Sequence, residues 1–141
     1  MKLIKESTGE EMNRMDIIGQ NGNDGEHYDE VYAIKYIEEN FPETAKEFQQ
    51  IQYEQWVIFC RKQMDYGPSN IAMGTSLSTP EDKRLSMIGL IVRINDKIQR
   101  LMNLVIKHNR KAQNEPVIDA FKDLSVYGIL AQIVDNGKWG K

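Results

Sequence analysis

Within a helix expected from Thr79 to about His108, apolar residues recur at spacings of three and four. Ile88, Ile91, Val92, Ile98, Leu101, Met102 and Val105 make one stripe of a helix. A second stripe at the same spacing holds Arg93, Asp96, Lys97, Arg100 and Asn103. The start is marked as firmly as the body. Thr79-Pro80-Glu81-Asp82 supplies a cap, a proline at the first helical position and two acids in the first turn. A helix this long needs neighbours to cover its apolar face. Its apolar stripe is expected to face a core. Its charged stripe is either a solvated face or one wall of a polar pocket.

The rest of the chain reads as partners for that helix. Residues 1–28 are polar, contain GQNGNDGEH and lack sustained periodicity, so they are expected to form a flexible arm. A first helix is expected from Asp29 to Asn40, ended by Pro42. Pro42 then suits the first turn of a second helix reaching about Tyr66, with Glu43 at the positive end of its dipole. That second helix is apolar over a wide arc: Phe48, Ile51 and Ile58 on one side, Tyr53, Trp56, Val57, Cys60 and Met64 on the other. Such an arc predicts a central helix packed between neighbours. Gly67-Pro68 stops it, and SNIAMGTSLS follows as a loop. A last helix is expected from about Glu115-Pro116 to Val134, closed by Asn136-Gly137. No run alternates with period two for long enough to predict a strand. The expected fold is all-α: a small bundle of about four helices over 29–141, forming one domain behind the arm.

Composition narrows the partners. At 141 residues the chain suits one domain with a sizeable core, and its net charge of −3 provides no general basic field for nucleic acid. Any anion must be met by a local cluster of Arg and Lys. A single cysteine excludes an intrachain disulfide and a multi-cysteine zinc site. With no membrane-length apolar run and no signal-peptide core, a cytoplasmic protein is expected. The wide apolar arc of the second helix, with Tyr32 and Tyr36 on the first, predicts a homo-oligomer.

Three places can carry chemistry. Asp119 and Asp123 lie four apart on the last helix, so they share a face and repel one another. Two kinds of partner suit them: arginines of the preceding helix, or a divalent cation such as Mg²⁺ with Asp96 as a third carboxylate. On the charged stripe, Arg93 and Arg100 can grip phosphate in bidentate fashion, with Lys97 as a point charge; Asp96 and Arg100 are expected to face Asp119 and Asp123. In DYGPSN, Tyr66 can stack on a base and Asn70 can read a base edge or a sugar hydroxyl. The plainer reading of that loop is a turn capped by its own side chains. No glycine-rich phosphate loop or GxSxG is present, and the two histidines, His27 and His108, are far apart in sequence.

Taken in order, KQMDYGPSNI (Lys62–Ile71), GLIVRINDKIQRLMNL (Gly89–Leu104) and EPVIDAFKDLSVYGIL (Glu115–Leu130) resemble the first of the nucleotide modification associated domain families, over roughly residues 51–141. These are small helical proteins of phages and their hosts, with no firmly assigned activity. By that resemblance the recurring polar positions are Tyr66, Gly67, Asn70, Arg93, Asp96, Lys97, Arg100, Asp119, Asp123 and Tyr127. Read together with the residue chemistry above, the expected ligand site is Lys62, Tyr66, Asn70, Arg93, Lys97, Arg100 and Tyr127, with Asp96, Asp119 and Asp123 as candidate metal ligands. For a phage-encoded protein the resemblance implies the host cell cytoplasm. The layout is also similar to the all-α nucleoside triphosphate pyrophosphohydrolases, which hold Mg²⁺ with ExxE and ExxD pairs. Here the acids are Asp96 and an Asp119/Asp123 pair at spacing four, a departure that bears on catalysis more than on binding.

Three functions are consistent with these residues. The first is a phage-type nucleotide-binding protein with phosphohydrolase activity in nucleotide or DNA-base modification. The second is a sponge that sequesters a nucleotide messenger of host antiphage defence without chemistry. The third is a helical adaptor whose charged stripe is only a salt-bridge layer.

Overall fold

The computed structural model describes Leu3–Ile4, Glu11–Met12 and residues 22–141. Strands β1 (Leu3–Ile4) and β2 (Glu11–Met12) pair antiparallel, with Leu3 opposite Met12 and Ile4 opposite Glu11. Two residues each is too short for a period-two pattern to register. The remaining elements are helical: α1 (Gly22–Asn40), α2 (Pro42–Tyr66), α3 (Ser69–Ala72), α4 (Pro80–Leu101), a π-helical continuation over Met102–Lys107, and α5 (Val117–Asp135). The fold is all-α, as the periodicity predicts. Most of the expected arm over 1–28 lies outside the described residues. Its last part belongs to α1, which begins at Gly22 rather than at Asp29. The apolar residues that betray a helix start only at Val31, so spacing cannot show the earlier turns.

The chain divides into two compact units, Met1–Gln52 and Tyr53–Lys141. In the first, the Asn40 amide caps α1 by donating to the Tyr36 carbonyl at 2.8 Å. Backbone bonds from Phe41 to Ile37 and from Ala45 to Phe41 carry through the join, so Pro42 sits where its missing N–H costs nothing. From Asp29 to Asn40 every residue of α1 is exposed, Val31, Tyr32, Ile34 and Ile37 included.

The second unit contains the core. Ile71, Ala72, Leu90, Leu130, Val134 and Trp139 are buried together, and Phe59, Met87, Val126, Tyr127 and Ile133 pack partly against them. The caps are those the sequence announces. The Thr79 hydroxyl accepts from the Asp82 backbone N–H at 3.1 Å. Beyond α5, Gly137 takes a left-handed φ of 65°, and the N–H groups of Gly137 and Lys138 donate to the Val134 and Ile133 carbonyls. That pair of bonds is a Schellman ending. It turns the tail back onto the core, where the Trp139 indole N–H donates to the Pro68 carbonyl at 2.9 Å. Ser86 is wholly buried and gives its hydroxyl proton to the Ile71 carbonyl at 2.7 Å, tying α3 to α4.

Two expectations about faces are overturned. The apolar stripe of α4 does not face the core: Ile88, Ile91, Val92, Ile98 and Val105 are exposed, Ile91 by 60%. The inward line is Ser86, Leu90, Arg93, Ile94, Lys97, Arg100 and Leu101, which includes the charged stripe. Nor is α2 a central helix. It has no buried residue, and Trp56 is 59% exposed. Periodicity measures the angle between two stripes of a helix; it does not say which stripe finds a partner within the chain.

Candidate functional site

A cleft of about 530 Å³ opens in the second unit between the last turns of α2, the α3 turn and α5. Its position follows from local sequence. Gly67, at φ 65°, stops α2 and swings Asn70 towards Arg93 of α4. Pro116 starts α5 so that Asp119, Asp123, Val126 and Tyr127 come round on one face. Lys62, Tyr66, Asn70, Arg93, Asp119, Asp123 and Tyr127 all lie on its wall, so seven of the ten anticipated site residues are brought together.

The other three sit elsewhere. Lys97 does not line the cleft; it reaches Asp123 from α4, Nζ to Oδ2 at 2.7 Å. Arg100 binds no carboxylate of α5. Its Nη1 donates to the Pro116 carbonyl at 3.3 Å and its Nη2 to the Glu115 carbonyl, pinning the chain just before α5. Asp96 is exposed and off the cleft wall. The expected meeting of Asp96 and Arg100 with Asp119 and Asp123 is therefore made by Lys97 instead. Arg100 lies one helical turn further along α4, level with the start of α5, where carbonyls without helical partners are the available acceptors.

The charges divide into bound and available. Lys97 is half-buried, and its pKa is raised above the ordinary 10.5, chiefly by the hydrogen bond to Asp123, with burial opposing. Lys62 approaches the other Asp123 oxygen at 3.8 Å but stays largely exposed. Lys122 stands 3.9 Å from Asp119. Arg93 is different: its Nη2 donates to Asn70 Oδ1 at 2.8 Å and to the Asn70 carbonyl at 3.3 Å. Among the described residues Arg93 makes no ion pair. It is a cation aimed by a neutral group, so its charge is uncompensated at the cleft. Asn70, expected to read a ligand, spends its side-chain oxygen on Arg93.

The carboxylates do not fit a Mg²⁺ site as they stand. Asp123 is in contact with a lysine ammonium, Asp119 has one close by, and Asp96 lies apart from both. Among the described residues no group of three or more His, Cys, Asp or Glu side chains gathers.

Several wall residues escape sequence reasoning. Trp139 forms part of the wall from the tail, edge-on to Phe59 with ring centroids 6.1 Å apart, and Phe59 stacks on Trp56 at 5.6 Å. A tryptophan two residues beyond an Asn-Gly helix ending was the available signal, since an apolar residue there commonly folds back on the helix it leaves. Glu115 and Lys122 also line the cleft; Lys122 was legible as the i+3 neighbour of Asp119.

Fold and site together define a helical protein with a half-open cleft of balanced charge and aromatic lining. In comparisons with protein-family models, curated proteins and solved structures, nothing matches this chain. No helix among the described residues is long and apolar enough to cross a membrane.

Proposed function

We propose that the second unit is a nucleotide-binding module that captures its ligand without transforming it. The observation that carries this reading is Arg93, uncompensated and held in place by Asn70, on a wall that also presents Lys62 and the rings of Tyr66, Tyr127 and Trp139. A planar cation with free N–H groups suits phosphate oxygens. Aromatic side chains beside it suit a base. The cleft volume falls within the range of small-ligand sites. Capture is favoured over hydrolysis because Asp123, the more enclosed carboxylate of the pair, is hydrogen-bonded to Lys97 rather than free to act as a base or metal ligand. This accords with the resemblance to nucleotide-associated phage proteins, and a sponge for a nucleotide messenger is the form of the reading that needs no catalytic group.

Mass spectrometry of small molecules released on denaturing the purified protein is the test. An intact nucleotide, absent from an Arg93→Met variant that still folds, supports capture. Phosphate or pyrophosphate released from nucleotides in the presence of Mg²⁺ replaces capture with hydrolysis. An empty protein that also fails to bind nucleotides in titration leaves the helical adaptor.

We propose further that a second copy of the chain covers the outward stripe of α4. Among the described residues Ile88, Ile91, Val92, Ile98 and Val105 are exposed along one helix face, a seam suited to a like helix. Light scattering at micromolar concentration tests this, and a clean monomer refutes it.

A further inference from the structure

We infer that the cleft selects a nucleotide bearing a single phosphate, a nucleoside monophosphate or phosphodiester, over the corresponding polyphosphate. This rests on the nucleotide-binding reading and adds the charge state of the ligand.

The argument is a balance of charges at short range. Lys62, Arg93 and Lys122 line the cleft, and so do Glu115, Asp119 and Asp123. Lys97, closing on Asp123 from outside the wall, leaves the group with one net positive charge. Of these acids Asp123 alone is in close contact with a lysine, Lys97 at 2.7 Å. Lys62 and Lys122 approach Asp123 and Asp119 loosely, at 3.8 Å and 3.9 Å, and both are more than half exposed. What attracts an anion is therefore the small positive surplus of the whole group, with Arg93 and these two lysines to meet it. A phosphomonoester carries about −1.5 to −2 charges at neutral pH, close to what that surplus can meet. Every further phosphoryl group adds negative charge that the group does not balance.

Glu115 makes the preference sharper. It lines the same wall and joins no ion pair among the described residues, its backbone carbonyl is held by Arg100, and its charge reaches Lys97 only at longer range. An exposed carboxylate so placed can accept a hydrogen bond from a sugar hydroxyl or a base N–H. It repels a second or third phosphate. Discrimination then comes as much from repulsion of the wrong ligand as from attraction of the right one. A triphosphate enters such a cleft only with a divalent cation of its own.

Titration calorimetry on the full chain decides the matter, using the deoxynucleoside monophosphates and the matching triphosphates with divalent cations chelated. The expected result is at least tenfold tighter binding of one monophosphate than of its triphosphate. Glu115→Gln, on an exposed residue whose loss leaves the core intact, is expected to narrow that gap several-fold. Triphosphate binding as tight as monophosphate binding under chelation overturns the inference and leaves the nucleotide reading standing. Binding of neither overturns both. An unchanged gap in Glu115→Gln removes the repulsion on which the selectivity is argued.

Discussion

Replacing Lys97 by methionine removes an ammonium that touches Asp123 at 2.7 Å and keeps most of the stem that packs between α4 and α5. The two side chains are 23% and 24% exposed, so the pair is neither a surface ion pair nor a buried one. Exposed pairs contribute about 0.2–1 kcal/mol, whereas removing one partner of a buried pair costs about 3–5 kcal/mol. Here the abandoned carboxylate retains some water, and Lys62 at 3.8 Å can swing in to replace the lost charge. The expected cost of Lys97→Met is therefore about 1–2 kcal/mol, with a coupling to Asp123→Asn of about 1 kcal/mol in a double-mutant cycle. Urea unfolding measures both, and Lys62→Met serves as a control expected to cost less than about 0.5 kcal/mol. The sign with pH follows from the raised pKa of Lys97. A lysine whose pKa is higher folded than unfolded contributes stability that is complete below the ordinary 10.5 and is lost as pH rises through the raised value. Parent and Lys97→Met should thus converge in stability only above that point. The consequence for the cleft is indirect: Lys62, drawn to Asp123, is withdrawn from the ligand, so monophosphate affinity falls although Lys97 is not on the wall. A Lys97→Met protein as stable as the parent at neutral pH, or a coupling indistinguishable from zero, would falsify this account of the α4–α5 contact.

Two other substitutions test the packing. Trp139→Ala deletes a buried indole together with its hydrogen bond to Pro68 and its edge contact with Phe59, and is expected to cost about 3–5 kcal/mol by urea unfolding; a loss below about 1 kcal/mol would mean the tail is not part of the core. Gly128→Ala adds a methyl group that meets nothing within 4 Å in the interior of α5, so the protein should gain about 0.8–1.0 kcal/mol and a few degrees in Tm by calorimetry. A drop in Tm would show that this face of α5 lies against something not present in the single chain.

The sequence alone determined where α4 begins and where α2 and α5 end, because those decisions are local. Thr79-Pro80 opens α4 through a bond to a residue three positions on, Gly67 ends α2 through a backbone angle that a Cβ disfavours, and Asn136-Gly137 closes α5 within one turn. It also named much of the polar part of the cleft wall, since Lys62, Tyr66 and Asn70 are close in the chain and Asp119, Asp123 and Tyr127 share a helix face. What it left to the tertiary structure were choices between equals. The stripes of α4 are spaced alike, and only packing against α5 turned Arg93, Lys97 and Arg100 inward and left Ile88, Ile91 and Ile98 outside. Lys97 and Arg100 were both able to reach an acid; the axial offset of α4 against α5 gave Asp123 to the lysine and the Glu115 and Pro116 carbonyls to the arginine. Trp139 became a wall of the cleft because the chain turned back after α5, a turn encoded locally whose landing place was not. Hydrogen bonds of the first kind close within five residues. Those of the second join residues 71 apart, as between Trp139 and Pro68, and no spacing rule reaches that far.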